Sequence, residues 1–246
     1  WLNAMPECSS STLRDEEFRT AVCLRAGIVS VRFPPVPCHC GRATIEATDA
    51  THHSLGCAQS KHLVSNRHNT VQQALAEELR FAGAHVLLEP PTGVDELRLD
   101  LAVTVGSHRW ALDVSIVNPA APSYTRVHGS VLGEACKAAA RDKIAKHSEG
   151  ARRLGCELVP FVLDCYGHFS PQAKKFTKDV ARRLAEVHGQ DFYKTHARLV
   201  NAVSVAVQRG NAACLHTAAA FCYNSAAGVH NGGPVADFNA GGGGLR

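Results

Sequence analysis

The chain has 246 residues, of which 45% are hydrophobic and 20% charged, values typical of a globular protein with a sizeable core. Its net charge of +4 permits a polyanionic partner without requiring one. Neither an apolar run of about 18 residues nor a signal-peptide pattern occurs, so we expect a soluble, intracellular protein with no membrane partner.

Helix and strand patterns alternate along the chain. Apolar spacing, caps and glycines predict helices at residues 13–25, 69–81, 129–148, 171–188, 191–208 and 211–222. Apolar or alternating runs predict strands at residues 84–89, 97–105, 108–117 and 156–164. This order predicts an α/β domain whose mixed central sheet is flanked by helices. Ser170 is the expected N-cap of one helix, and Gly210 is expected to end another.

The central feature is a predicted hairpin around Gly106-Ser107. Glycine supplies the positive φ that the first position of a type II′ turn needs, so Val105 should pair with His108. In that register Asp100 lies opposite Asp113, with Cβ atoms about 4.5–5.5 Å apart. Two like charges at this spacing indicate a cation site. A three-residue loop would instead put the aspartates on opposite faces, and polar residues of an ordinary hairpin are the simpler alternative.

Charged residues also lie on the inward faces of two predicted helices. Glu78 falls on the apolar face of the predicted helix at 69–81, which precedes the sheet. Lys143 and Lys146 fall on the apolar face of the predicted helix at 129–148, which follows the hairpin. Glu78 and Lys143 could therefore converge with the two aspartates. Two carboxylates holding Mg²⁺ (or Mn²⁺), with a lysine to orient or activate water, are typical of phosphodiester hydrolysis. The alternative for Glu78 is an ion pair with Arg80 or Arg67. The alternative for Lys143 is an ordinary solvent-exposed helix lysine.

Three of the ten cysteines cluster with histidines between residues 38 and 57. Thiolate and imidazole ligands at short spacing, flanked by proline and glycine, predict a closed structural zinc site. The predicted ligands are Cys38, Cys40, His53 and Cys57. His52 or His62 could replace His53, and free buried cysteines are the simpler alternative. The other seven cysteines are expected to be small core residues.

Short motifs follow one another along nearly the whole chain. They are Trp1-Leu2-Asn3-Ala4-Met5-Pro6, Cys38-His39-Cys40-Gly41, His53-Ser54-Leu55-Gly56-Cys57, Arg67-His68-Asn69, Val159-Pro160-Phe161-Val162 and Gln208-Arg209-Gly210-Asn211-Ala212. With the spacing of Asp100 and Asp113, this order resembles the restriction-like endonuclease domain of site-specific non-LTR retrotransposons, a variant of the PD-(D/E)xK fold. The first motif resembles the linker after the reverse transcriptase.

The resemblance implies Mg²⁺-dependent nicking of target DNA, with reverse transcription primed at the break. It implies that Asp100 and Asp113 bind the metal. The family's lysine does not stand two residues after the second acid, where this chain has Ser115, so Lys143 of the next helix is assigned to that role. Two further departures are Leu99 in place of the usual proline and His147 in place of the expected tyrosine.

The resemblance also implies partners and domain boundaries. DNA, the reverse transcriptase portion of the same polyprotein and the element RNA are the implied partners, in the nucleus. The implied DNA contacts are Arg67, His68 and Lys146. The alternative for Arg67 and His68 is a purely structural role as a cap of the following helix. The implied parts are an N-terminal helical linker (1–37), a zinc knuckle (38–66), the endonuclease domain with C-terminal helices (67–222) and a disordered glycine-rich tail (223–246).

Two other functions compete with the nuclease. A non-catalytic DNA-binding module would use the knuckle and the basic helices while the acid pair is vestigial. A purely structural domain would show neither DNA binding nor metal dependence.

Overall fold

The computed structural model describes residues 2, 4, 11–28, 31–32, 38, 40, 47–57, 60–93, 98–128 and 131–226. The helices are α1 (Asp15–Ala26), α2 (Ala47–Ser54), α3 (Lys61–Phe81), α4 (Pro122–His128), α5 (Glu134–Arg153), α6 (Pro171–His188) and α7 (Phe192–Ala226). The strands are β1 (His85–Leu88), β2 (Leu101–Val105), β3 (His108–Val117) and β4 (Glu157–Asp164). Most of the linker motif at 1–6 and the predicted tail beyond residue 226 lie outside the described residues.

The four strands form one mixed sheet in the order β1-β2-β3-β4. β1, β2 and β3 pair antiparallel, and β3 pairs parallel with β4. The parallel pair needs a crossover connection, which contains α4 and α5. The prediction of a mixed α/β domain is therefore confirmed.

The two faces of the sheet pack against different helices. The largest hydrophobic cluster joins one face to α3, α6 and α7 and includes Leu112 and Val114 of β3. The opposite face packs against α5, whose Ala139 contributes to a smaller cluster with Val117. Because side chains alternate along a strand, Asp113 projects toward α5.

The predicted hairpin register is confirmed. Gly106 has φ +59° at the first turn position, and Val105 pairs with His108. Leu101 pairs with Leu112, but the N–H of Asp100 also donates to the Leu112 carbonyl at 3.0 Å. Two consecutive residues thus share one partner, as in a β-bulge, and Asp100 lies at this irregular end of β2.

Helix α7 differs most from the prediction. It is one continuous helix where we expected two helices separated by a cap at Gly210. A Cβ at Gly210 would lie 2.8 Å from the Cβ of Arg67 and 3.1 Å from its Cα. The glycine therefore allows α7 to approach α3 closely and does not end a helix.

Helix ends account for the remaining differences. α3 begins at Lys61, eight residues before the predicted start at residue 69, so Arg67-His68-Asn69 lies inside the helix and does not cap it. The predicted helix at 129–148 is α5, which begins at Glu134 and ends at Arg153. Ser170 caps α6 as predicted, accepting from the N–H of Ala173 at 3.2 Å. Within the described chain, no helix is both long and apolar enough to cross a membrane.

Candidate active site and metal cluster

The two aspartates of the hairpin lie near each other, with Asp113 facing α5 and Asp100 facing His68 of α3. Their carboxyl groups are close enough for the charge of Asp100 to raise the pKa of Asp113. The side chain of Asp100 is 20% exposed and that of Asp113 only 5%. The pair is therefore open to solvent on the Asp100 side.

Asp100 is fixed by contacts from two directions. Its Oδ2 accepts from the N–H of Val114 at 2.5 Å, and its Oδ1 lies 3.2 Å from Nε2 of His68. Gln72 of α3 donates to its backbone carbonyl at 2.7 Å. Burial favours the neutral acid, but the hydrogen bond and charge of His68, with the Val114 N–H, outweigh burial and lower the pKa of Asp100.

Asp113 faces two basic side chains of α5. Nζ of Lys143 lies 3.1 Å from its Oδ1 and 3.0 Å from its Oδ2, and Nε2 of His147 lies 3.2 Å from Oδ2. Burial raises the pKa of Asp113, and the charge of Asp100 adds to this effect against the opposing charge of Lys143. The environment thus moves the pKa values of the two acids apart, and Asp100 is the more readily ionised.

His147 belongs to this site, although no role for it was predicted. Its side chain is 4% exposed, and burial lowers its pKa. Its Nδ1 is buried without a hydrogen-bond partner among the described residues. The sequence signal was its position four residues after Lys143, which places both side chains on one helix face.

One oxygen of the pair lacks a well-formed hydrogen bond. Oδ2 of Asp113 is buried and, within the described chain, makes no hydrogen bond of acceptable geometry, although Nζ of Lys143 and Nε2 of His147 lie 3.0 Å and 3.2 Å from it. Carboxylate oxygens are the ligands that Mg²⁺ and Mn²⁺ prefer in proteins. The residues present therefore fit a divalent cation held between the two carboxylates.

Glu78 does not join the acid pair. Its buried carboxylate lies 3.0 Å from Nε of Arg198 in α7. It follows His68 by ten residues on the same helix, a rise of about 15 Å. The structure therefore does not bring Glu78 together with the aspartates, and it pairs the Glu78 carboxylate with Arg198.

The predicted DNA contacts take different positions. Arg67 is 2% exposed and donates to the Asn211 carboxamide at 2.9 Å and the Leu55 carbonyl at 3.0 Å, so its guanidinium is turned away from solvent. His68 lies beside Asp100. Lys146 is exposed on α5, one turn from Lys143, and not on the inward face as the periodicity predicted, while its DNA contact stays a prediction.

The predicted metal ligands Cys38, Cys40, His53 and Cys57 come together, and their ligand atoms all lie within 4.8 Å of one another. Nε2 of His53 is 3.2 Å from Sγ of Cys38 and 3.3 Å from Sγ of Cys40. Three thiols and one imidazole are a donor set typical of structural zinc, so this cluster could bind that ion.

The structure indicates which histidine belongs to the thiol cluster, a choice that the sequence left open. The ring of His52 lies 6.5 Å from that of Tyr166, outside the cluster, and its carbonyl accepts from Asn118 at 2.7 Å. His53 is the histidine of the cluster.

The chain thus carries two candidate metal sites, one of carboxylates and one of thiols with an imidazole. The carboxylate site has a cation, Lys143, beside it and solvent access through Asp100. Neither a comparison with models of known protein families nor a search among curated proteins finds a match for this chain.

Proposed function

We propose that this chain is a metal-dependent DNA endonuclease domain with a restriction-like core and a structural zinc knuckle, from a site-specific non-LTR retrotransposon. It nicks target DNA so that the reverse transcriptase of the same polyprotein can prime synthesis at the break. The observation that carries the proposal is that Asp113, which feels the charge of Asp100, lies against Lys143 with a buried Oδ2 that makes no hydrogen bond of acceptable geometry within the described chain.

Each of these residues has a distinct part in phosphodiester hydrolysis. A divalent cation bound between the carboxylates would polarise the phosphate and lower the pKa of a bound water. Lys143 has 27% of its side chain exposed, so its ammonium can orient a water or contact a phosphate oxygen while it stays near Asp113. His68 and the Val114 N–H keep Asp100 ionised and fix its orientation.

The surface near the acid pair suits a polyanion. Lys146 is exposed on α5 one turn from Lys143, whereas Arg153, half exposed and paired with Glu149, lies about 10 Å farther along α5. Such side chains would supply phosphate contacts without reading sequence. We propose chromosomal DNA as the substrate, the element RNA as a second partner, and the nucleus as the location.

The experiment is nicking of supercoiled plasmid by the full chain with Mg²⁺. We expect open circles from the natural chain, and none with EDTA or with Asp113→Asn, which removes the charge of the carboxylate. Asp142→Asn is the matched control, because it removes an exposed carboxylate of α5 that is next to Lys143 in the sequence. Equal nicking by Asp113→Asn and Asp142→Asn would refute the proposal.

A non-catalytic DNA-binding module is the second candidate. The observation that favours it is that each aspartate already faces a basic side chain, Asp113 facing Lys143 and Asp100 facing His68. Such ion pairs can exist for structural reasons alone. Retention of DNA in a gel shift, with no nicking at any Mg²⁺ concentration, would favour this candidate.

A further inference from the structure

The segment that holds His53 and Cys57 of the thiol cluster also contacts the end of the strand of Asp113 and the helix whose His68 contacts Asp100. His53 lies in α2, and Cys57 follows this helix by three residues. With eight residues, α2 is shorter than the roughly 12–15 residues that an isolated helix needs in water. It therefore depends on tertiary contacts, among them the fully buried Leu55, which packs with Leu215 of α7.

The first connection runs to the strand of Asp113. Asn118 directly follows β3, five residues after Asp113, and is 7% exposed. Its Nδ2 donates to the carbonyl of His52 at 2.7 Å. Its Oδ1 accepts from the N–H of Ala120 at 3.1 Å, which fixes the orientation of the carboxamide.

The second connection runs to the helix that holds Asp100. Nη2 of the buried Arg67 donates to the carbonyl of Leu55, just after α2, at 3.0 Å. The next residue, His68, contacts the carboxylate of Asp100, and Gln72, one turn later, donates to its backbone. A displacement of the α2 segment would therefore reach both acids by short, separate paths.

We propose that Asn118 and Arg67 are positioning residues that couple the metal state of the thiol cluster to the geometry of the acid pair. A metal ion at the four ligands fixes the end of α2, because metal binding to such a cluster supplies folding free energy. Without the ion, the His52 and Leu55 carbonyls lose their fixed positions, and both connections loosen. Only the consequence for nicking rests on the proposed function.

The test uses the ring signals of His68 and His147 in NMR spectra of the full chain with labelled histidines. One ring contacts Asp100 and the other contacts Asp113, so each reports on one acid. The variants His68→Gln and His147→Gln assign the signals. In buffer without Mg²⁺ or Mn²⁺, so that the acid pair holds neither ion, we expect both signals to shift when a chelator removes the cluster metal, while methyl signals of the core residue Leu75 keep their positions. Unchanged ring signals after metal release would overturn the proposal.

Asn118→Ala tests the coupling with the metal in place. We expect zinc content to be unchanged and the His147 signal to move toward its position in the chelated chain. Ser54→Ala is the control, because among the described residues this buried hydroxyl bonds only within α2, to the carbonyl of Ala50 at 2.7 Å. Equal shifts in the two variants, or no shift in Asn118→Ala, would overturn the proposal.

Two further results distinguish the coupling from a general loss of structure and from the nuclease activity. Loss of the Leu75 methyl signals on chelation would mean that the metal supports the whole fold, which would overturn a specific path to the acids. Shifts as expected, in a chain that nicks no DNA, would support the coupling and refute the proposed function.

Discussion

Substitution of Gly210 by alanine tests the close approach of α3 and α7. In an unconstrained helix interior, alanine is more stable than glycine by about 1 kcal/mol. Here the new methyl group would meet Cβ of Arg67 at 2.8 Å and Cα at 3.1 Å, with Cγ closer still. The backbone Cα cannot retreat without separating the helices.

The Arg67 side chain is equally constrained. Its guanidinium holds two buried hydrogen bonds, to Asn211 and to the Leu55 carbonyl. Losing one charged hydrogen bond costs about 1.5–3 kcal/mol, and an overpacked core costs about 1–3 kcal/mol. After the gain in helix propensity, we expect Gly210→Ala to lower the free energy of unfolding by about 1.5–5 kcal/mol.

Urea unfolding of the full chain provides the assay, with an unchanged m-value showing that only stability changed. Ala213→Gly is the matched control, because Ala213 is exposed on the same helix and reports helix propensity alone. We expect the control to lose about 1 kcal/mol. A Gly210→Ala variant more stable than the natural chain would refute the reasoning.

Three more predictions follow from the sites. His147→Ala should lower Mg²⁺-dependent nicking about 10–100-fold, as loss of an outer-shell partner does, with partial rescue by His147→Gln; activity at the natural level would exclude a positioning role. Zinc analysis should find one ion per chain and less in Cys57→Ser, and its absence from the natural chain would contradict the assignment of the thiol cluster. Burial raises the pKa of Asp164, so its protonated form is favoured in the fold, and its charge costs stability once the pH exceeds the unfolded-state value of about 3.9. Asp164→Asn keeps an oxygen to accept from the N–H groups of Tyr166 and His168. The urea midpoint should therefore rise at pH 7 and match the natural chain near pH 3, whereas a fall at pH 7 would contradict the account.

The parts of the fold set by neighbouring residues could be predicted from the sequence. The two-residue loop at Gly106 sets the register of the hairpin as far as Leu101 and Leu112, which brings Asp100 near Asp113 even though the pairing is irregular at Asp100. Helix periodicity likewise placed Lys143 on the inward face of α5. The four ligands of the thiol cluster lie within 20 residues of one another, so spacing alone indicated them.

Contacts between distant parts of the chain could not be predicted. The sequence placed Glu78 on a buried face, but its partner Arg198 lies 120 residues away, and periodicity does not identify such a pair. Gly210 met the pattern of a helix end because glycine is common there. Its role depends on Arg67, 143 positions earlier, which only the packing of α3 against α7 reveals.

The central claim is that the acid pair is a cation site. The most direct measurement is anomalous diffraction from crystals of the full chain grown with Mn²⁺, at wavelengths that distinguish manganese from zinc. The account predicts a manganese peak between the carboxylates, bound by Oδ2 of Asp113, and no such peak in Asp113→Asn. A natural chain without manganese at Asp100 and Asp113, in which Lys143 and His147 still contact Asp113, would contradict the claim.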